Sequence, residues 1–188
     1  MRYVTLMRVL ALFGLTCGLC LPQPPKGLIT FKSEHHGFTV QYPRSWHAEI
    51  ASDIFAIQNF TSAEAVRGAV LPEGGAGIKI LTASQAVRHP QKALSSLDDL
   101  VALDTAHETV VAKRTREISD KRHKLTVIEV KTTCCDISPQ ESVALYFQLD
   151  GQMFVGEVYY WRGDSRADLL RDTLDQVVLS VNLSREPA

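Results

Sequence analysis

The sequence predicts an α+β domain: an antiparallel β-sheet of about six to eight strands sandwiched with two main helices. Three observations predict it. Apolar and polar residues alternate in two separate blocks, the period of a half-buried strand. Between and after those blocks the apolar spacing changes to three and four residues, the period of an amphipathic helix. The order is therefore strands, helix, strands, helix, and not the βαβ alternation of a doubly wound parallel sheet.

In the first block Phe38, Val40 and Tyr42 alternate with Thr39 and Gln41. Pro43-Arg44-Ser45 breaks the run as a turn, and Trp46, Ala48 and Ile50 resume it. Ile54 to Phe60 makes a third strand. A loop from Thr61 to Gly77, carrying Pro72, Gly74 and Gly75, leads to a fourth at Ile78 to Thr82. A helix is expected over about 90–106. Pro90 suits a first turn, where its missing N–H costs nothing. Leu94, Leu97, Leu100 or Val101, and Asp104 follow at helical spacing, with Lys92, Asp98 and Asp99 left for water.

Val110 to Ser119 and Leu125 to Thr132 are two strands joined by the polar turn Asp120-Lys121-Arg122-His123. Ser142 to Leu149 and Gln152 to Trp161 meet at Asp150-Gly151, a dipeptide that favours the positive φ of a tight hairpin. Val155, Tyr159 and Trp161 point to one face and Phe154, Val158 and Tyr160 to the other. Bulk on both faces predicts a central, doubly covered hairpin. Ser165-Arg166-Ala167-Asp168 has the spacing of a capping box, with Asp in place of Glu. Leu169, Leu170, Thr173, Leu174, Val177, Val178 and Val181 then form the apolar stripe of a closing helix.

The chain has 188 residues, 45% hydrophobic and 22% charged, the balance of one globular domain and not of a disordered, collagenous or multi-span protein. Twenty basic residues against 21 acidic ones give a formal charge of -1, so no basic field invites nucleic acid. Residues 1–21 are expected to be a signal peptide. Arg2 and Arg8 make a positive start, and the uncharged run from Val9 to Leu21 is shorter than the roughly 20 residues of a membrane span. Small residues place cleavage between Gly18 and Pro22. A lipid anchor on Cys17 or Cys20 would want Gly or Ala just before the cysteine, where Thr16 and Leu19 stand, so soluble export to the periplasm or beyond is favoured. Residues 22–27 form a proline-stiffened spacer, and 28–184 the domain. Loss of the leader removes two positive charges and two of the four cysteines. What remains is mildly acidic, with Cys134 and Cys135 alone, and must be held by its core and not by disulfides.

Gly37-Phe38-Thr39-Val40-Gln41-Tyr42-Pro43-Arg44-Ser45-Trp46 resembles the opening of PsbP-like domains, in which a strand ends in Tyr-Pro and a nearby Trp begins the hairpin return. The order of elements is similar to that fold over roughly 29–184, a fold shared with the Ran-binding nucleotide-release factor and with exported bacterial proteins. The resemblance implies a non-enzymatic binding or assembly role, as in the photosystem II extrinsic subunit that helps retain inorganic cofactors. No metal or partner residue of the family matches a position here, and export sets aside the nuclear Ran-binding role. Tyr42, Pro43 and Trp46 are expected to be structural: the proline stops the strand and the two rings cover the turn.

Cys134-Cys135 is the most unusual pair. Adjacent cysteines in an oxidising compartment could close a vicinal disulfide, bind a soft metal such as Cu(I), bridge two chains, or simply end a strand before the loop Asp136-Ile137-Ser138-Pro139. They lack the gap of a CxxC redox motif. His35, His36, His47, His89, His107 and His123 show no metal-ligand spacing. Gly74-Gly75-Ala76-Gly77 is followed by a strand and not by the helix a phosphate cradle needs. No GxSxG elbow occurs, and Asp98-Asp99 face different ways on their helix. Lys113, Arg114, Arg116, Lys121, Arg122 and Lys124 cluster on one hairpin, interrupted by Glu117 and Asp120, as a charged edge that resists aggregation. The sequence thus predicts an exported, non-catalytic binding or assembly module with no cofactor and an unknown protein or small-molecule partner in the envelope. The alternative is a metal-binding or thiol-redox protein working through Cys134 and Cys135.

Overall fold

The computed structural model describes residues 27–33, 37–51, 54–61, 71–87, 94–121, 123–134 and 140–183. The leader, the spacer up to Lys26, His35, His36, His89, Pro90, Lys92, Arg122, Cys135 and the loop after it lie outside the described residues. In chain order the elements are β1 (Leu28–Ser33), β2 (Phe38–Pro43), β3 (His47–Ala51), β4 (Ile54–Gln58), β5 (Ala76–Thr82), α1 (Ala83–Ala86) and α2 (Leu97–Asp104). Then come β6 (Thr109–Ser119), β7 (Lys124–Cys134), β8 (Gln140–Leu149), β9 (Gln152–Trp161), α3 (Ala167–Leu179) and β10 (Asn182–Leu183). Seven strands form one antiparallel sheet in the order β3-β4-β5-β9-β8-β7-β6, and β1-β2-β10 form a second, smaller one.

The β8–β9 hairpin turns through Asp150 at φ 46° and Gly151 at φ 83°, the left-handed pair that matches strand twist. It is central and covered on both faces, as its bulk predicts. On one face Val143, Leu145, Phe147, Phe154, Val158 and Tyr160 are buried against Leu170, Leu174, Val177 and Val178 of α3 and against Phe38, Val40 and Tyr42 of β2. Gly156 lets α3 come close: a Cβ there would lie 2.6 Å from Val178 Cγ2. On the other face Leu81, Ile128, Val130, Tyr146 and Val155 meet Val87, Leu100 and Val101 of the α1–α2 segment. The smaller sheet and α3 thus lie on one side of the large sheet, and α1 and α2 on the other.

Several expectations are corrected. The helix expected over 90–106 begins only at Leu97. Ser96, in extended conformation, accepts the Asp99 N–H at 3.1 Å, and a serine cap of this kind sets the start against the longer apolar spacing. The short α1 was not anticipated; the Gln85 side chain accepts the Thr82 N–H at 2.8 Å. For α3 the cap is Arg166, without a side-chain bond. Asp164 Oδ1 instead takes the Arg166 N–H at 2.8 Å, so the Ser165 capping box does not form. Leu169 is 54% exposed and lies outside the buried stripe. Strands β1 and β10 were also missed, because their pairing comes from β2 and not from a strong alternation of their own.

β6 is an edge strand, and its charges are paired. Lys113 meets Asp98 at 2.7 Å, Arg114 meets Glu129 at 2.7 Å, and Lys124 meets Glu117 at 2.8 Å. Arg116 also holds Glu129 and clasps Asp175 of α3 through two bonds of 2.8 and 2.6 Å. That fork ties the closing helix to the edge hairpin. Among the described residues no helix is long and apolar enough to cross a membrane.

Candidate functional site

The face of the large sheet beneath α1 and α2 changes character row by row. Strand register aligns Leu81, Val155, Tyr146 and Ile128 in one row, apolar and packed beneath the helical segment. The next row runs Glu49, Ala56, Lys79, Glu157, Ala144 and Val130. The third runs His47, Gln58, Gly77, Tyr159, Ser142 and Thr132. In the middle row an ion pair stands between two alanines, whose short side chains leave space that larger residues would fill. In the third row Tyr159 lies over Gly77, where a Cβ would come within 2.2 Å of its Oη.

Over Ala144 lies a cleft of about 230 Å³ at the margin of the helix cover, lined by Ile54, Lys79, Leu81, Gln85, Ala86, Asp104, Glu108, Ser142, Ala144, Tyr146 and Glu157. Lys79 Nζ and Glu157 lie 2.7 Å apart. Burial opposes the lysine's charge, yet the Glu157 carboxylate, with Asp104 and Tyr159 adding to it, outweighs burial and raises Lys79 above the ordinary lysine range. Tyr146, 1% exposed, donates its hydroxyl to Asp104 Oδ2 at 2.7 Å. Burial raises the Asp104 carboxyl above the usual range; the Tyr146 bond works against this, and the charges of Glu157 and Glu108 add to it. The Tyr146 hydroxyl is pushed far up by its burial and by Asp104, so it acts as a donor and not as an anion. Ser142 and Thr132 share a hydroxyl hydrogen bond of 2.8 Å.

A larger hollow of about 570 Å³ lies beside Trp161 and Arg166. There Arg166 is held by Asp164 at 2.6 Å and by the Gly74 carbonyl at 2.7 Å. A groove of about 650 Å³ runs along the end of α3, past Asp120, His123, Asp172 and Asp175. There Arg116 already holds Asp175, and Asp120 accepts the His123 N–H at 2.6 Å. The smaller cleft is where ionisable groups from four elements, β5, α2, β8 and β9, converge.

The residues singled out in the sequence lie elsewhere. Tyr42 is buried in the core under the smaller sheet, its ring 5.9 Å from that of Phe55. Pro43 ends β2 and accepts the Trp46 N–H at 3.0 Å, and Trp46 packs against the same core. Cys134 ends β7 opposite Gln140; its side chain and Cys135 lie outside the described residues. His47, His107 and His123 are exposed, and among the described residues no three His, Cys, Asp or Glu side chains gather as a metal would require. Asp98 is an exposed partner of Lys113. Asp99 serves its own helix start, accepting from Ser95.

Lys79, Asp104, Glu108, Ser142, Tyr146 and Glu157 were not singled out. A signal existed. Lys79 interrupts the apolar run Ile78-Lys79-Ile80-Leu81, and Glu157 falls on a face of the central hairpin that bulk marks as covered. Asp104 occupies a place in the apolar row of its helix. Charges at positions that periodicity assigns to the interior are the trace such a cleft leaves.

No family model matches the chain, and no curated protein matches it in sequence. In structure it is similar to the cyanobacterial PsbP (CyanoP) of Synechocystis, at 11% identity and a TM-score of 0.47, over 89% of this chain and 98% of that one. It is similar to the Ran-binding protein Mog1p of Saccharomyces cerevisiae, at 11% identity and a TM-score of 0.49, over 84% of this chain and 96% of that one. A Bacteroides thetaiotaomicron protein matches at 11% identity and a TM-score of 0.38, over 84% of this chain and 48% of that one. The first of these is a PsbP protein, the family that the segment from Gly37 to Trp46 resembles; at this identity and these TM-scores the likenesses carry nothing about family or activity.

Proposed function

We propose that the chain is an exported, non-catalytic binding or assembly module, and that its ligand enters the cleft over Lys79 and Glu157. The pairing inside the cleft carries this reading. Glu157 keeps Lys79 charged, which withholds the free amine a nucleophilic lysine needs. Asp104 already receives the Tyr146 proton donor. The Ser142 hydroxyl bonds to Thr132, a partner that cannot act as its base. Paired groups of this sort orient and hold a molecule; they do not form the nucleophile, base and orienting group of a reaction centre. Apolar walls with a few convergent polar groups are the ordinary make-up of a ligand site.

Native mass spectrometry of the mature protein, purified from its own cell envelope, tests the reading. An adduct of constant mass is expected, absent when Ala86→Phe fills the cleft. An adduct that survives Ala86→Phe would refute the site, and release of a chemically altered ligand would refute a non-catalytic role. N-terminal sequencing of the same material tests export: a first residue between Gly18 and Pro22 is expected, and a retained leader would contradict it.

A further inference from the structure

The cleft has a mixed lining: Ile54, Leu81, Ala86 and Ala144 are apolar, while Lys79, Asp104, Glu108 and Glu157 are ionisable. The hollow does not depend on the charges alone: Ala144, beside Glu157 in register, lines it with a side chain too short to fill it. At about 30 Å³ per water, its 230 Å³ would hold roughly eight waters. That is room for a short aliphatic body with a polar head.

The charges decide which head. Among the described residues of the lining, Lys79 is the one cation, paired with Glu157 at 2.7 Å and also within reach of the Asp104 charge, and it stands against the three carboxylates of Asp104, Glu108 and Glu157. Tyr146 satisfies Asp104 with a neutral donor and leaves its charge in place. An anionic ligand would bring like charge against both carboxylates. A protonated amine would instead offer two or three N–H donors to an acceptor set with lone pairs to spare. A metal ion is a poorer match, since no three ligands gather among the described residues.

We propose that the cleft binds a small organic cation, a protonated primary or secondary amine on a short aliphatic body, with its head between Asp104 and Glu108 and its body over Ala144. This rests on the reading that the cleft is a ligand site. The test titrates n-butylammonium, butyrate and n-butanol, at matched salt, into isotope-labelled mature protein and follows the backbone amides of Lys79, Asp104 and Glu157 by NMR. Saturable shifts with n-butylammonium are expected. Affinity should weaken about tenfold or more in Asp104→Asn, where a charged hydrogen bond becomes a neutral one, and stay unchanged in Asp98→Asn on the outer face of α2. Asparagine keeps the size of Asp104 and can still accept from Tyr146, so loss of the fold does not confound the comparison. Equal n-butylammonium affinity in wild type and Asp104→Asn would overturn the proposal. Saturation by butyrate or butanol without n-butylammonium would also overturn it, while leaving the ligand site intact. Silence of the cleft amides toward all three probes would sink the cation and the site together.

Discussion

Replacing the two members of the Lys79–Glu157 pair, singly and together, measures how enclosed the cleft is. At 2.7 Å and an effective dielectric of about 20, their attraction is about 6 kcal/mol. Against it stands the hydration each ion gave up, several kcal/mol per fully buried group. The side chains are 34% and 17% exposed, so that loss is partial, and solvent also screens the attraction. The net coupling should fall near 1–2 kcal/mol, above the 0.2–1 of an open surface pair and below the roughly 3–5 lost on breaking a buried one. Urea unfolding of wild type, Lys79→Met, Glu157→Gln and the double variant at pH 7 gives the coupling directly. The raised lysine adds a pH signature. Its contribution is complete below the ordinary value of 10.5 and disappears as pH rises through the higher value of the folded chain. A coupling under about 0.3 kcal/mol would refute the enclosure and, with it, the reason for placing a ligand there.

Three further outcomes follow from packing and charge. Gly156→Ala should cost about 1–3 kcal/mol in urea unfolding, because its Cβ would meet Val178 Cγ2 at 2.6 Å; a neutral result would show that α3 is not seated closely on β9. Arg116→Met should cost about 2–3 kcal/mol by leaving Glu129, 7% exposed, to Arg114 alone and freeing Asp175. Faster amide exchange in β6 should accompany it, and unchanged protection there would count against the clasp. The raised Asp104 carboxyl favours folding most below its ordinary value of 3.8, and this advantage is lost as pH rises through the higher value of the folded chain. Asp104→Asn should therefore match wild type near pH 3 and melt higher at pH 7, and a wild-type advantage at pH 7 would contradict this.

Much of the sheet was legible because its strands carry their own period. The β8–β9 hairpin announced its turn at Asp150-Gly151 and its double cover through the bulk on both faces. What could not be read was set by partners distant in sequence. β1 exists because β2 offers it an edge, and β10 because Asn182 and Leu183 reach Thr39 and Phe38. Helix starts failed where one local bond outweighed spacing: Ser96 capped α2 late, and Asp164 took the place assigned to Ser165. The cleft was legible only in part. Lys79 and Glu157 each stood out as a charge on an interior face, but that they face each other is a fact of register between strands some eighty residues apart. Tyr146 and Asp104 likewise meet only once α2 lies across the sheet.

The three rows beneath α1 and α2 also imply how this face would tolerate change. Under the helices a replacement would be judged by its shape. One row away, between Ala56 and Ala144, it would be judged by its sign. At Gln58, Tyr159 and Ser142 it would be judged by what it can donate or accept. A single pleated surface would therefore drift under three different constraints within the span of a few residues, and the middle one is where a new specificity could arise with least disturbance to the fold.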